Sequence, residues 1–501
     1  MNLKYIKVTL GLITFAGAIA LTSCNKDDKI GPQPEPKPQP LPGTEVRIIT
    51  TTNSRSLDLT ENWIDYSTRD NMSPSCITLM PDEEYQTMDG FGVAMTGSTC
   101  YNLMQMDPTN RHEFLEETFS PLNGYGFSYI RVSIGCSDFS LSEYTCCDTP
   151  GIDSFALTSE EINYVIPVLK EVLEINPSLR IMGTPWTPPR WMKCTDIVSK
   201  NPHNEWTSGS LNPDYYQDYA EYFVRWIQAF EKFGIKIYSV TPQNEPLNRG
   251  NSASCYMPWQ EERDFVKTAL GPAFKAAGIN TKIFAFDHNY NYDNVPDQKN
   301  YPTNIYQDAE AAQYFAGAAF HDYGGSPEEL TVVHNATPFK DLVFSETSIG
   351  EWNDGRNLKT RLLADMENVA LGTVSRWCTG VIVWNLMLDE DKGPNRPKGC
   401  TTCYGAVDIN KDYTTMTRNS HYYIIAHMSS VVKPDAVRIG TKGYTASGLT
   451  YSAFRNADGS YALVLSNNYA EPRTITIEDG DHHFTHEVPA NSVVSFNWNI
   501  K

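Results

Sequence analysis

A (β/α)8 barrel with a small β-sandwich attached is the fold class the sequence predicts, on three observations. Between about residues 85 and 430, eight short apolar runs alternate with amphipathic stretches of helical period. Polar and aromatic residues collect at the C-terminal end of each run, where the strands of such a barrel present their chemistry. From about residue 431 the helical period gives way to alternating strands and tight turns. A chain of 501 residues also exceeds one simple core and suits a large domain with a smaller one.

The first 45 residues read as export and tether. Lys4 and Lys7 precede an apolar run over 8–21, too short to span a bilayer comfortably. Leu21-Thr22-Ser23-Cys24 closes it and resembles the lipobox of bacterial lipoproteins. That resemblance implies cleavage after residue 23 and lipidation of Cys24. Asn25-Lys26-Asp27-Asp28 is similar to the surface-export signal of some Gram-negative lipoproteins. Alternating prolines over 31–42 favour an extended spacer, so 24–45 is expected to be a Pro-rich tether. The expected location is the outer membrane, exposed at the cell surface, with the lipid anchor as the sole membrane attachment.

Strand-like runs at 46–52 and 76–79 lie in a segment, 46–84, expected to join the sandwich from the N-terminal side. The barrel, expected over 85–430, has candidate strands at 88–94, 129–134, 180–183, 237–240, 282–286, 318–320, 342–344 and 381–383. Between them, Ile162, Val165, Ile166, Leu169 and Leu173 share one helix face. Tyr219, Tyr222, Phe223, Trp226 and Phe230 share another, and a third helical pattern covers 358–371. The strand ends carry, in order, Thr96; Arg131 and Asp138; Trp186; Asn244 and Glu245; Asp287, His288 and Asn289; His321 and Tyr323; Glu346; and Trp384 and Asn385. The sandwich, 431–501, contains strand patterns at 448–454 and 460–467 joined at Asp458-Gly459, a good hairpin turn.

Composition narrows the chemistry. A net charge of −20 repels phosphate backbones, so nucleic acid is excluded as a partner and polyanions are disfavoured. The 28 Tyr and 10 Trp suit both a large core and the apolar faces of sugars. Ten cysteines remain after Cys24; Cys400-Thr401-Thr402-Cys403 and Cys146-Cys147 are the close pairs. The only His cluster, His482, His483 and His486, lies far from both pairs, so buried thiols or a local disulfide are expected rather than a metal site.

Glu245 in Thr241-Pro242-Gln243-Asn244-Glu245-Pro246 and Glu346 in Leu342-Val343-Phe344-Ser345-Glu346 each end an apolar strand. A carboxylate there is desolvated and needs a partner or a use. Glycosidic hydrolysis uses two such groups across the sugar.

Six ordered blocks resemble glycoside hydrolase family 30, the family of glucosylceramidases and bacterial and fungal β-glycanases. They are Met88-Asp89-Gly90-Phe91-Gly92; Arg131-Val132-Ser133-Ile134 with Ser137-Asp138-Phe139-Ser140; Thr184-Pro185-Trp186-Thr187-Pro188-Pro189; Asn244-Glu245-Pro246; Phe344-Ser345-Glu346; and Trp384-Asn385-Leu386 with Gly393-Pro394-Asn395. The resemblance implies Glu245 as acid/base and Glu346 as nucleophile of a retaining double displacement, the carboxyls about 5–5.5 Å apart. It implies Asn244 on the sugar 2-hydroxyl, Arg131 keeping Glu346 ionised, and Asp138, Trp186 and Trp384 lining the pocket. Tyr323 is expected to hold Glu346 and His321 to position Glu245. Glu245 should titrate well above a free Glu so that it starts protonated. No cofactor and no metal are implied. Asn395 is the least secure match, because Arg396 follows it where glucosylceramidase-like members carry an aromatic residue.

The expected substrate and partner is a β-glucan polysaccharide or oligosaccharide, β-1,6-glucan cleaved internally. The alternatives are an exo-acting β-glucosidase or glucosylceramidase-like enzyme, a glucuronoxylanase gripping a carboxylate with Arg396 or Lys398, and a non-enzymatic surface glycan binder. Arg396 and Lys398 are expected to be solvated loop charges.

Overall fold

The computed structural model describes residues 45–67, 72–290, 295–480 and 482–499. Cys24, the expected leader and all of the expected tether but Glu45 lie outside the described residues. Eight parallel strands form one sheet: β1 (Gly90–Val93), β2 (Tyr129–Ser133), β3 (Arg180–Thr184), β4 (Ser239–Val240), β5 (Lys282–Asn289), β6 (Phe315–His321), β7 (Asp341–Glu346) and β8 (Cys378–Val383). The order β1-β8-β7-β6-β5-β4-β3-β2 runs around a barrel. Its two edges meet at the parallel bridge between Ala94 and Arg131, where Met95 N–H donates to Arg131 O at 2.8 Å. Glycine permits this closure: a Cβ on Gly92 would stand 2.0 Å from Tyr129 O.

Strand alternation sets the barrel's interior. Tyr129, Met182, Phe284, Ala319, Val343 and Ile382 point inward and pack on one another as an apolar layer. Two residues further along four of those strands come Arg131, His321, Ser345 and Trp384, so the next layer is polar and aromatic. Helices cover the outside, and Tyr216–Glu231 buries Tyr219, Tyr222, Phe223, Trp226 and Phe230 against the strands. One expected core residue is displaced. Ile162 is 43% exposed, because a π turn over Glu161–Val165 widens the helix start and rotates it out of register with Val165 and Leu169.

The second module is a nine-stranded sheet in the order Thr60–Ile64, Val46–Thr52, Ser492–Trp498, Tyr461–Asn467, Leu449–Arg455, Val437–Gly443, Cys76–Thr87, Arg473–Glu478 and His483–Val488. It folds over on itself as a β-sandwich, packing Phe484 on Phe496 and Trp498 with ring centroids 5.6 and 5.0 Å apart. The strand Cys76–Thr87 stays in this sheet to Thr87, three residues past the division expected at 84, and leads directly into β1. His427, on the helix Ser420–Ser429, ties barrel to sandwich through Ser495 Oγ at 2.8 Å and Thr51 Oγ1 at 2.9 Å.

Candidate active site

Glu346 ends β7, and its Oε2 accepts from Arg131 Nη1 at 2.5 Å while Oε1 accepts from Tyr323 Oη at 3.0 Å. Arg131 is wholly buried. Its Nη2 donates to Asn244 Oδ1 at 2.7 Å and Asp287 Oδ2 at 2.8 Å. One guanidinium therefore fixes three side chains from β5, β7 and the loop after β4, which a planar fork does better than an ammonium.

Glu245 follows Asn244 in that loop with a left-handed backbone, φ 45°. Such a conformation costs a non-glycine residue about 1–3 kcal/mol and turns its side chain back toward the cleft. The surroundings hold it there: Glu245 N–H donates to Asp287 O at 2.9 Å, and Asn244 N–H to Pro185 O at 2.8 Å. Glu245 Oε2 accepts from Asn248 Nδ2 at 2.8 Å and Asn251 Nδ2 at 2.6 Å, and Oε1 lies 3.3 Å from His321 Nδ1. The other ring nitrogen of His321 is 3.0 Å from Asp287 Oδ1.

Asp287 is the hub beneath this arrangement. It also accepts from Thr241 Oγ1 at 2.7 Å and Ser345 Oγ at 2.6 Å. It reaches the interior because β5 breaks register between Phe286 and His288, with Phe286 and Asp287 both left-handed at φ 73° and 57°. Buried Glu262 supports the break, accepting Phe286 N–H at 3.1 Å and Tyr301 Oη at 2.8 Å.

A carboxylate oxygen of Glu245 and one of Glu346 lie within 4.8 Å of each other. That brings the two carboxyls face to face at about a sugar's width, as a nucleophile opposite an acid/base requires. With a His321 nitrogen, the same atoms have the spacing of a cation site, but each carboxylate is already committed to protein donors. The walls are aromatic. Trp186 stacks on Trp384 at 5.2 Å between centroids, with Arg131 Cζ 5.0 and 5.6 Å from the two rings. Asp138 stands in the loop after β2, and its neighbour Phe139 packs edge-on against Trp384 at 6.2 Å.

The electrostatics correct one expectation. Burial pushes the Glu245 carboxyl up, but the hydrogen bond from His321 and the charges of His288 and His321, with the Asn248 amide, bring it down to about 2. Burial also disfavours the His321 cation, yet Glu346, Asp287 and Glu245 raise it to about 10. The same contacts that hold Glu245 low hold His321 toward its cationic form. Glu346 is held above its ordinary value by burial, which His321 and Arg131 offset only in part. Asp138 is pushed up to about 7 by burial and by the charge of Glu346, against the pull of Arg396. Asp287, despite burial, is held far below the carboxylate range by Arg131 and His321.

Residues 88–432 match the glycosyl hydrolase family 30 TIM-barrel domain, and 435–496 match that family's β-sandwich domain. This chain belongs to glycoside hydrolase family 30. Among its relatives, an endo-1,6-beta-D-glucanase of Neurospora crassa is 31% identical over 79% of this chain and 82% of its own length. The lysosomal acid glucosylceramidase of Mus musculus is 28% identical over 84% of this chain and 83% of its own. A solved endo-beta1,6-glucanase is 64% identical, with a TM-score of 0.90 over 91% of this chain and all of its own. As a family 30 member the chain is an O-glycoside hydrolase.

The structure brings Arg131, Asp138, Trp186, Asn244, Glu245, His321, Tyr323, Glu346 and Trp384 to one end of the barrel. Asn395, in the loop after β8, bonds the backbone of Lys392 and Cys400 through its Nδ2 and makes no bond to either glutamate. Arg396 is a correction: it is 1% exposed, paired with Glu143 at 3.0 Å, and no solvated charge, whereas Lys398 is exposed. Cys400 and Cys403 form the local disulfide, and Cys146 and Cys147 are buried thiols. Sequence reading placed Asp287 at a strand end without a role and missed Asn248 and Asn251. Asp287 carried a signal, a charge inside an apolar strand; the two asparagines had only their nearness to Glu245.

Proposed function

We propose that this chain is a retaining endo-β-1,6-glucanase, exported and anchored through a lipidated Cys24. The observation that carries the reading is the pair of buried carboxylates within 4.8 Å, in a fold 64% identical in sequence to a solved endo-beta1,6-glucanase. Glu346, aimed by Arg131 and Tyr323, attacks the anomeric carbon. Glu245 hands the leaving oxygen a proton that reaches it from His321 Nδ1, one hydrogen bond away. Forming the glycosyl ester removes the Glu346 charge that helps keep His321 cationic. Glu245, an anion held by two amides, is then a ready base for the water that releases the sugar. Asn244 is placed by Arg131 to meet the 2-hydroxyl, Asp138 to take further hydroxyls, and Trp186 and Trp384 to pack on the ring.

The buried Arg396–Glu143 pair speaks against a glucuronate grip at Arg396. The test is incubation of purified protein with β-1,6-, β-1,3- and β-1,4-glucans and xylan, with sizing of products and NMR of the new anomeric centre. A ladder of β-1,6-oligomers born as the β anomer is expected. Glucose alone, an α product, or no turnover of any β-glycan overturns the reading. For the anchor, mass spectrometry of membrane-extracted protein should find a diacylglyceryl Cys24, absent in Cys24→Ala.

A further inference from the structure

Arg396 lies in the loop after β8, yet its side chain is among the most deeply buried of the described residues. Its Nε donates to Ser137 O at 2.6 Å. Its Nη1 donates to Glu143 Oε1 and Ser252 Oγ, each at 3.0 Å. Ser137 and Glu143 belong to the loop after β2, which carries Asp138. Ser252 belongs to the loop after β4, directly beside Asn251, whose amide holds Glu245 at 2.6 Å. The Arg396 loop also lies flat on Asp138: a Cβ on Gly399 would stand 2.3 Å from Asp138 O. The loop ends in the Cys400–Cys403 disulfide, and Cys403 pairs with Gly350, four residues beyond Glu346.

We propose that Arg396 is a positioning residue that joins the sugar-binding Asp138 and the Asn251–Glu245 pair into one rigid frame. The inference rests on the glucanase reading above. A buried guanidinium suits the task because its planar fork reaches three acceptors in fixed directions from separate nitrogens, whereas an ammonium offers rotatable donors from one point. Asp138 also feels its charge, which counters the upward push of burial on that carboxyl. Cutting the Ser252 link frees Asn251 and deprives the Glu245 anion of a fixed donor. Cutting the whole hub also frees Asp138.

The experiment compares Arg396→Met, Arg396→Lys and Ser252→Ala with wild type on β-1,6-glucan and on 2,4-dinitrophenyl β-gentiobioside, whose leaving group needs no proton. Ser252→Ala should keep its Tm and lose about 10-fold in kcat on the glucan, with far less lost on the dinitrophenyl substrate. The limb of its pH profile that reports Glu245 should move up, since the anion has lost a donor. Arg396→Met should show the same bias and, in addition, a raised KM on both substrates. Arg396→Lys should recover thermal stability but not the glucan rate. Variants that lose Tm while keeping the wild-type substrate ratio and pH profile overturn the proposal and leave Arg396 a structural staple. Should Arg396→Met fail to fold, the Ser252→Ala ratio decides alone. Failure of wild type on the glucan overturns the reading of function instead.

Discussion

At the N-terminal end of the barrel, Asp89, Arg180, Lys282 and Tyr238 form a network similar in composition to that of Glu346, Arg131, His321 and Asp287 at the opposite end. Asp89 accepts from Thr379 Oγ1 at 2.8 Å, from Arg180 Nη1 at 3.1 Å and from Tyr238 Oη. Arg180 continues to Asp435 at 2.7 Å, and Lys282 to Asp341 at 3.1 Å. Here Arg180 and Lys282 begin β3 and β5, none of the four has a left-handed backbone, and the cation side chains are 17% and 33% exposed. At the catalytic end Arg131 and Asp287 are wholly dry, and Glu245, Phe286, Asp287 and Asn385 are left-handed. Both ends hold ion pairs. Asp435, the partner of Arg180, is also left-handed at φ 68°, but among the described residues only the catalytic end uses such strain to hold two carboxylates at a sugar's width. Charge pairing alone therefore does not mark a site; strained placement beside a cleft does.

The largest expected effect tests that contrast directly. Glu346→Gln should fold normally and lose on the order of 10^4-fold or more in kcat on β-1,6-glucan. Asp89→Asn should lower Tm and leave kcat/KM near wild type; lost turnover at unchanged Tm would break the comparison. Next comes Arg131→Met, which strands Asp287 and Glu346 without their counter-charge and should cost about 3–5 kcal/mol in urea unfolding. Arg180→Met should cost less, because water and Lys282 reach Asp89.

A smaller effect concerns protons. His321→Gln removes the group that stores the Glu245 proton, so the basic limb of kcat/KM should fall to lower pH. His321 is raised from 6.5 to about 10 on folding. Its stabilisation is therefore full below pH 6.5 and lost as pH rises through about 10. Unfolding free energies of wild type should decline across that window, and those of the Gln variant should lack that component. Smallest is Tyr323→Phe, which takes one donor from the Glu346 anion. The acid limb should rise by less than about one pH unit and kcat/KM should drop about 10-fold.

Local pattern was enough to find the barrel, the sandwich and the two glutamates. Apolar runs and strand-end chemistry are local, and each of the eight expected runs is a strand because a short apolar stretch can be buried on both faces between barrel core and helices. Arg131 was legible for the same reason: it stands two residues beyond Tyr129 on the inward face of β2. The partners and the protons follow instead from the folded arrangement. Asn251 meets Glu245 through a turn of their shared loop after β4, and Arg396 is buried where loops from three strands converge on one face. A loop residue carries no period from which its environment can be read. The low titration of Glu245 follows from His321, which is 76 residues away in the chain and one hydrogen bond away in space. Protonation depends on distance and dielectric, and those exist only once the barrel has closed.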